Sequence, residues 1–236
     1  MSEDVDIRIT ASLHPSNVQQ VDGYDEETAP YLAAVETAFS EAYIGIGQVF
    51  TAREKAKSNP TWNESQQILA TYDLSEKVFG RIARSMDAAK SRLDKGIAFI
   101  EGELAAPVTA KAAASVAAEI RSYAKGLETG KRMGFVQRAI ADGDETTVSS
   151  LLGAPPYLSG LTGEIQAILT RQWHERNSPA LAQRLKAMTG ARDLIMDRGG
   201  LVFGELEKAV GCPPHKARQL RAAKSAAEKA FVLRDL

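Results

Sequence analysis

Cysteine is almost missing from this 236-residue chain: there is one, Cys212. A single thiol excludes an internal disulfide framework and any zinc centre built on several thiolates. Histidine is scarce as well, and His14, His174 and His215 lie far apart. None belongs to an HxxxH or HExxH pair, the spacing that lets one helix face grip a metal. No apolar run reaches the roughly 18–20 residues that cross a bilayer, so no membrane contact is expected. The start, MSEDVDIRIT, is acidic and lacks the basic and apolar regions of a signal peptide. The phosphate-cradling GxxxxGK[ST] motif is absent too. The one glycine cluster, Gly199 to Gly204, follows a helical segment and reads as a helix break.

Net charge is also nearly absent, at −1, but its distribution is uneven. Residues 1–30 hold seven acids and one base, whereas residues 208–236 hold seven bases and two acids. Between them, residues 31–207 balance at 21 of each sign. Opposite charge at the two ends suits head-to-tail association or separate partners at each end; two solvated ends are the plainer reading.

What the chain has in abundance is helix-forming pattern, including 37 alanines. The exception is residues 1–25, where Val5, Ile7, Ile9, Ala11 and Leu13 alternate with polar residues. That is the period of a strand with one apolar face. With no second strand to pair it, this acidic arm is expected to stay flexible or to add to a partner's sheet edge. Val5, Ile7, Ile9 and Leu13 are then its partner-binding residues.

From about residue 26 the chain reads as helix. A first helix spans Glu26 to Ser58, with Gly45 and Gly47 as a weak point or a place where another helix comes close. Asn59-Pro60 signals a restart, asparagine capping and proline at the first helical position. The run that follows carries apolar or small residues at Ile68, Tyr72, Ser75, Phe79, Ile82, Met86, Ala89, Leu93, Ile97, Ile100 and Leu104. Spacings of four and three sustained over about five heptads make a coiled-coil-like seam. Ala105-Ala106-Pro107 is expected to end that helix, and Ala110 to Ala141 to form a third. In the third, Gly126, Gly130 and Gly134 align on one face, which suggests a tight contact or a kink.

Residues 143–162 form a Pro/Gly corner. Asp144 is placed to cap a short helix through Leu152, Gly153 to end it, Pro155-Pro156 to forbid helix, and Thr162 to open the next. Its many apolar residues predict a packed corner. Helices at 163–176, 179–198, 201–210 and 213–233 complete the chain. The expected architecture is all-α: an elongated antiparallel bundle over 26–142, the corner, and a smaller helical region over 163–236 with a basic end.

No catalytic constellation assembles from these residues. Cys212 and His215 have the spacing of half a zinc site, but no second half exists, and Pro213-Pro214 reads as a helix start. As a nucleophile pair they lack an orienting residue. Trp173-His174-Glu175-Arg176 would point four ways from a helix, which makes Trp173 a core anchor. The chain is therefore expected to be neither an enzyme nor a cofactor protein. The last two helices outline a helix-turn-helix, with Lys216, Arg218, Arg221, Lys224 and Lys229 as a basic surface. That surface fits an acidic protein partner, and DNA contact is the alternative.

The stretch from Ala139 to Thr162, AIADGDETTVSSLLGAPPYLSGLT, with long helices before it, resembles uncharacterised helical structural and assembly proteins of tailed phages and prophages. The resemblance implies a particle component or scaffold, found in the virion or the host cytoplasm. Its partners would be other copies of itself or phage structural proteins. It carries no catalytic residues to this chain.

Overall fold

A computed structural model describes residues 6–109 and 113–231. The chain is all-α, and no strand occurs among the described residues. The helices are α1 (Ala29–Lys57), α2 (Glu64–Thr109), α3 (Ala114–Gly126), α4 (Thr129–Asp142), α5 (Glu145–Leu152), α6 (Pro156–Ser159), α7 (Gly163–Asn177), α8 (Pro179–Arg198), α9 (Leu201–Val210) and α10 (Pro214–Glu228). They belong to two compact units, one of Met1–Arg92 with Gly190–Leu236, the other of Leu93–Thr189. Both α2 and α8 run without a break through a unit boundary.

In the first unit the acidic segment is not a strand. Residues 11–13 and 15–20 form two short 3-10 helices, the second entered through Pro15. Leu13, Pro15 and Val18 are buried against the unit's own helices, with the second 3-10 helix on α1. The alternation that looked like a strand turns at residues 7–9, leaving Ile9 buried and Ile7 exposed. Polar ties hold the segment down as well. Lys208 Nζ donates to the Arg8 carbonyl at 2.7 Å, and the Thr10 amide donates to Glu205 at 3.2 Å. Arg198 donates to the Ser12 carbonyl at 3.1 Å, and the Tyr43 hydroxyl to the Asp6 carbonyl at 3.1 Å. Expected strand pairing lost to this because a lone strand leaves its backbone groups unmet.

α1 begins where Asp25 and Thr28 cap each other, each backbone amide donating to the other's side chain at 2.8 Å. Leu32, Val35, Phe39, Ile46 and Val49 give it a buried face, and the helix packs on α9. Gly45 marks a close helix approach: a Cβ there would lie 2.8 Å from Val78 Cγ1. α2 starts four residues later than Asn59-Pro60 suggested. Asn63 and Gln66 cap one another at 2.9 and 3.2 Å, while Asn59 closes a turn with Thr61. The helix also continues through Pro107 to Thr109. A proline this near the end removes one helical hydrogen bond, the one to the Glu103 carbonyl, and only two helical residues follow it.

The second unit is built around α5, which meets α3, α4, α6 and α7. Asp144 caps it, accepting from the Thr147 amide at 2.9 Å and hydroxyl at 2.6 Å. Those bonds, the hydroxyl's foremost, hold the Asp144 carboxyl below the usual carboxylate range. Gly153 follows its end, and Gln166 donates to the carbonyls of Leu152 and Ala154 at 2.7 and 2.8 Å. Thr162 caps α7 through the Ile165 amide at 3.2 Å. Val148, Leu151, Leu152 and Leu161 join Val136, Ile140, Leu169 and Trp173 in one core. The corner is thus the centre of a unit, and Trp173 is a core anchor. Proline did not forbid helix here: Pro156 occupies the first turn of α6, where its missing amide costs nothing.

The expected third helix divides into α3 and α4. Gly126 ends α3, and the Arg132 side chain donates to the carbonyls of Ala124 at 2.8 Å and Leu127 at 2.6 Å across the break. A Cβ at Gly126, Gly130 or Gly134 would meet nothing within 4 Å. Gly126 sits at the break while Gly130 and Gly134 lie within α4, and none of the three admits a close neighbour.

Candidate functional site

α2 and α9 carry the same short pattern. Tyr72, Ser75, Glu76 and Phe79 on α2 are spaced by three, one and three residues, as are Phe203, Leu206, Glu207 and Val210 on α9. Each set lies along one helix face. The two faces line a groove of about 250 Å³ within the first unit, together with Cys212, Pro214 and Arg218. Phe79, last of its set, meets Phe203, first of the other, edge to face with ring centroids 6.4 Å apart.

Burial is graded along the groove. Tyr72, Ser75, Leu206, Val210 and Cys212 form a buried floor. The Ser75 hydroxyl is satisfied by donating to the Tyr72 carbonyl at 2.7 Å. Phe79 and Phe203 stay 43% and 56% exposed. One glutamate stands on each wall. Glu76 accepts from Arg221 at 3.3 Å, and Arg221 also binds Asp73 and lies over the Tyr72 ring, 5.4 Å from its centroid. Glu207 on the facing wall is exposed. The groove offers aromatic surface and two acids. Its one thiol, at Cys212, is buried and directed at the Pro213 carbonyl at 3.5 Å.

Other chemistry-bearing residues lie apart from it. His215 is exposed while Cys212 is buried. His174 lies in the second unit, its Nε2 3.1 Å from the Leu104 carbonyl, and burial pushes its pKa below the ordinary imidazole value. It borders a cavity of about 510 Å³ whose wall includes Leu104, Gln166 and Thr170. No group of three or more His, Cys, Asp or Glu residues among the described ones is arranged to hold a metal.

The residues singled out from sequence fall into three groups. Of the arm, Val5 lies outside the described residues, Ile7 is exposed, and Ile9 and Leu13 are buried within their own unit. Of the seam, Tyr72, Ile82, Met86, Leu93, Ile97, Ile100 and Leu104 are buried within the single chain. Ile68 is only half-buried and Phe79 exposed, with Leu69 and Val78 buried beside them. The seam's face is set by what each stretch of α2 packs against, and near residue 79 it turns toward the groove. Of the basic surface, Lys216, Arg218, Lys224 and Lys229 are exposed. Arg221 is engaged by Asp73 and Glu76.

Sequence reasoning missed Phe203, Glu207 and Val210 as site residues. The signal was present in the matching three-one-three spacing on two separate helices. No protein-family model, curated protein sequence or solved structure matches the chain. No helix among the described residues is long and apolar enough to cross a membrane.

Proposed function

We propose that this chain is a non-enzymatic structural or assembly protein of phage type, working through contacts with other copies of itself or with phage structural proteins. The observation that carries the reading is the aromatic groove between α2 and α9, with Phe79 and Phe203 open to solvent. Exposed aromatic surface over a buried apolar floor, edged by charge, is the anatomy of a partner site. The phage context rests on the resemblance of Ala139–Thr162, and it puts the protein in the virion or the host cytoplasm. Sedimenting particles and assembly intermediates from cells that encode the chain tests this. Recovery in a particle or precursor fraction supports it. Recovery only in the unassembled fraction at every stage contradicts it.

A DNA- or protein-binding regulator using α9 and α10 is the second reading. It is favoured by the exposed Lys216, Arg218, Lys224 and Lys229. It is weakened by the acids already engaging Arg221. A gel shift of duplex DNA that weakens steeply with salt would carry this reading; no shift at low salt would end its DNA form.

A further inference from the structure

Three polar residues of α7 line up beside the cavity in the second unit. Gln166, Thr170 and His174 follow one another at intervals of four, so they share one side of the helix over about 12 Å. All three are half-buried and border a cavity of about 510 Å³. That volume falls within the roughly 300–1,000 Å³ of small-ligand pockets. Much of the remaining lining is apolar: Leu104, Val108 and Leu152 are buried, and Leu185 of α8 is half-buried.

The hydrogen bonds already made fix what these side chains still offer. The Gln166 amide nitrogen uses both its hydrogens on the carbonyls of Leu152 and Ala154, at 2.7 and 2.8 Å. Only its oxygen is left, an acceptor. The Leu104 carbonyl can only accept, so the ring proton of His174 sits on Nε2, 3.1 Å away, and Nδ1 is left as a bare acceptor. Burial lowers the His174 pKa, which keeps that nitrogen unprotonated at neutral pH. The charged rim agrees in sign. Glu101 and Glu175 border the cavity against one base, Arg171, and all three are exposed.

Acceptors inside, a net negative rim and an apolar wall describe a ligand that donates, carries positive charge and has a hydrocarbon body. We propose that this cavity binds a small organic ammonium ion. Its N–H groups donate to His174 Nδ1 and the Thr170 hydroxyl, and its hydrocarbon lies along Leu104, Val108 and Leu152. The acids belong to the same end: Glu175 follows His174 in the chain, and Glu101 stands one turn before Leu104, whose carbonyl His174 meets. A carboxylate of equal size would find one arginine, two repelling acids and no inner donor except the Thr170 hydroxyl.

Titrating the full chain with n-hexylamine at pH 7.5 tests the proposal, read by calorimetry and by the ring nitrogen NMR signals of His174. Hexanoate and hexan-1-ol serve as controls of equal chain length. Hexylammonium is expected to bind one to one and shift the Nδ1 signal, and both controls to bind about tenfold more weakly or not at all. Glu101→Gln together with Glu175→Gln, both at exposed positions, should weaken hexylammonium about threefold. Ala182→Leu, which fills the cavity wall, should abolish binding. If circular dichroism shows that this variant does not fold, Ala167→Leu, at an exposed position of the lining, replaces it. Either control binding as tightly as hexylammonium, no binding by any of the three, or binding unchanged by the paired glutamines or by the filled wall overturns the proposal. The cavity lies in the second unit and the groove in the first, so the assembly reading stands or falls separately.

Discussion

The two ends of the first unit carry opposite charge and meet opposite fates. The acidic end, residues 6–25, is folded down: Leu13 and Val18 are fully buried, and its carbonyls accept from Tyr43, Arg198 and Lys208. The basic end lies open, with α10 exposed from Arg221 onward. Composition explains the difference. Burying an aliphatic side chain such as leucine or valine contributes about 1.5–3 kcal/mol, and Ile9, Leu13 and Val18 all add to what holds the acidic end down. The face of α10 offers mostly alanine, which gains little by burial against its own chain, and ends in one aromatic. A segment of large aliphatics is committed to the fold; a helix of alanines tipped with phenylalanine remains available.

Five changes would break or sharpen that contrast. Leu13→Ala should cost most, about 2–5 kcal/mol of stability by urea denaturation, as for other fully buried leucines. A loss below 1 kcal/mol would mean the acidic end is not part of the core. Next, His174 should add acid sensitivity between pH 7.5 and 5. The pKa of His174 is depressed in the folded chain by burial, so stability is full above the ordinary value of about 6.5 and falls as pH drops through the depressed one. His174→Gln should flatten that slope, as read from melting temperatures between pH 7.5 and 5; an unchanged slope would assign it elsewhere.

Smaller effects should come from the ion pairs at the two ends. Arg221→Gln removes exposed contacts to Asp73 and Glu76 and should cost less than about 1 kcal/mol, lessening further with salt. Asp6→Asn should act differently. The side-chain hydrogen bond from Arg8 holds the Asp6 carboxyl below its ordinary range. Its contribution is therefore present above about pH 4 and lost as pH falls through the depressed value. The variant should match wild type in acid and fall slightly short at neutral pH. Smallest of all, Phe231→Ala should leave monomer stability within about 0.5 kcal/mol of wild type. A larger loss would show that α10 is anchored after all.

Much of the fold was legible because local chemistry dictated it. Asp144, Thr162 and Pro179 mark helix starts, and the sequence bounds for α5, α8 and α9 agree with the structure. Where two devices compete, sequence alone does not say which one acts. Asn59-Pro60 and Asn63-x-x-Gln66 both announce a helix, and only the second is a reciprocal cap. Unit boundaries were not legible at 142 or 162. They fall inside α2 and α8, where continuous helix leaves no punctuation to read. The groove was hidden for a different reason. Its walls lie about 130 residues apart in the chain, and periodicity assigns a face to each helix without saying which faces meet. Phe79 illustrates this, since spacing alone placed it with buried Ile82 and Met86.

The central claim is that the acidic end belongs to the fold while α10 lies open beyond Arg221. Amide hydrogen exchange of the full chain tests it most directly. Residues 9–20 should be protected, and residues 221–231 should exchange fast. Protection of 221–231 as high as that of 9–20 would contradict the account.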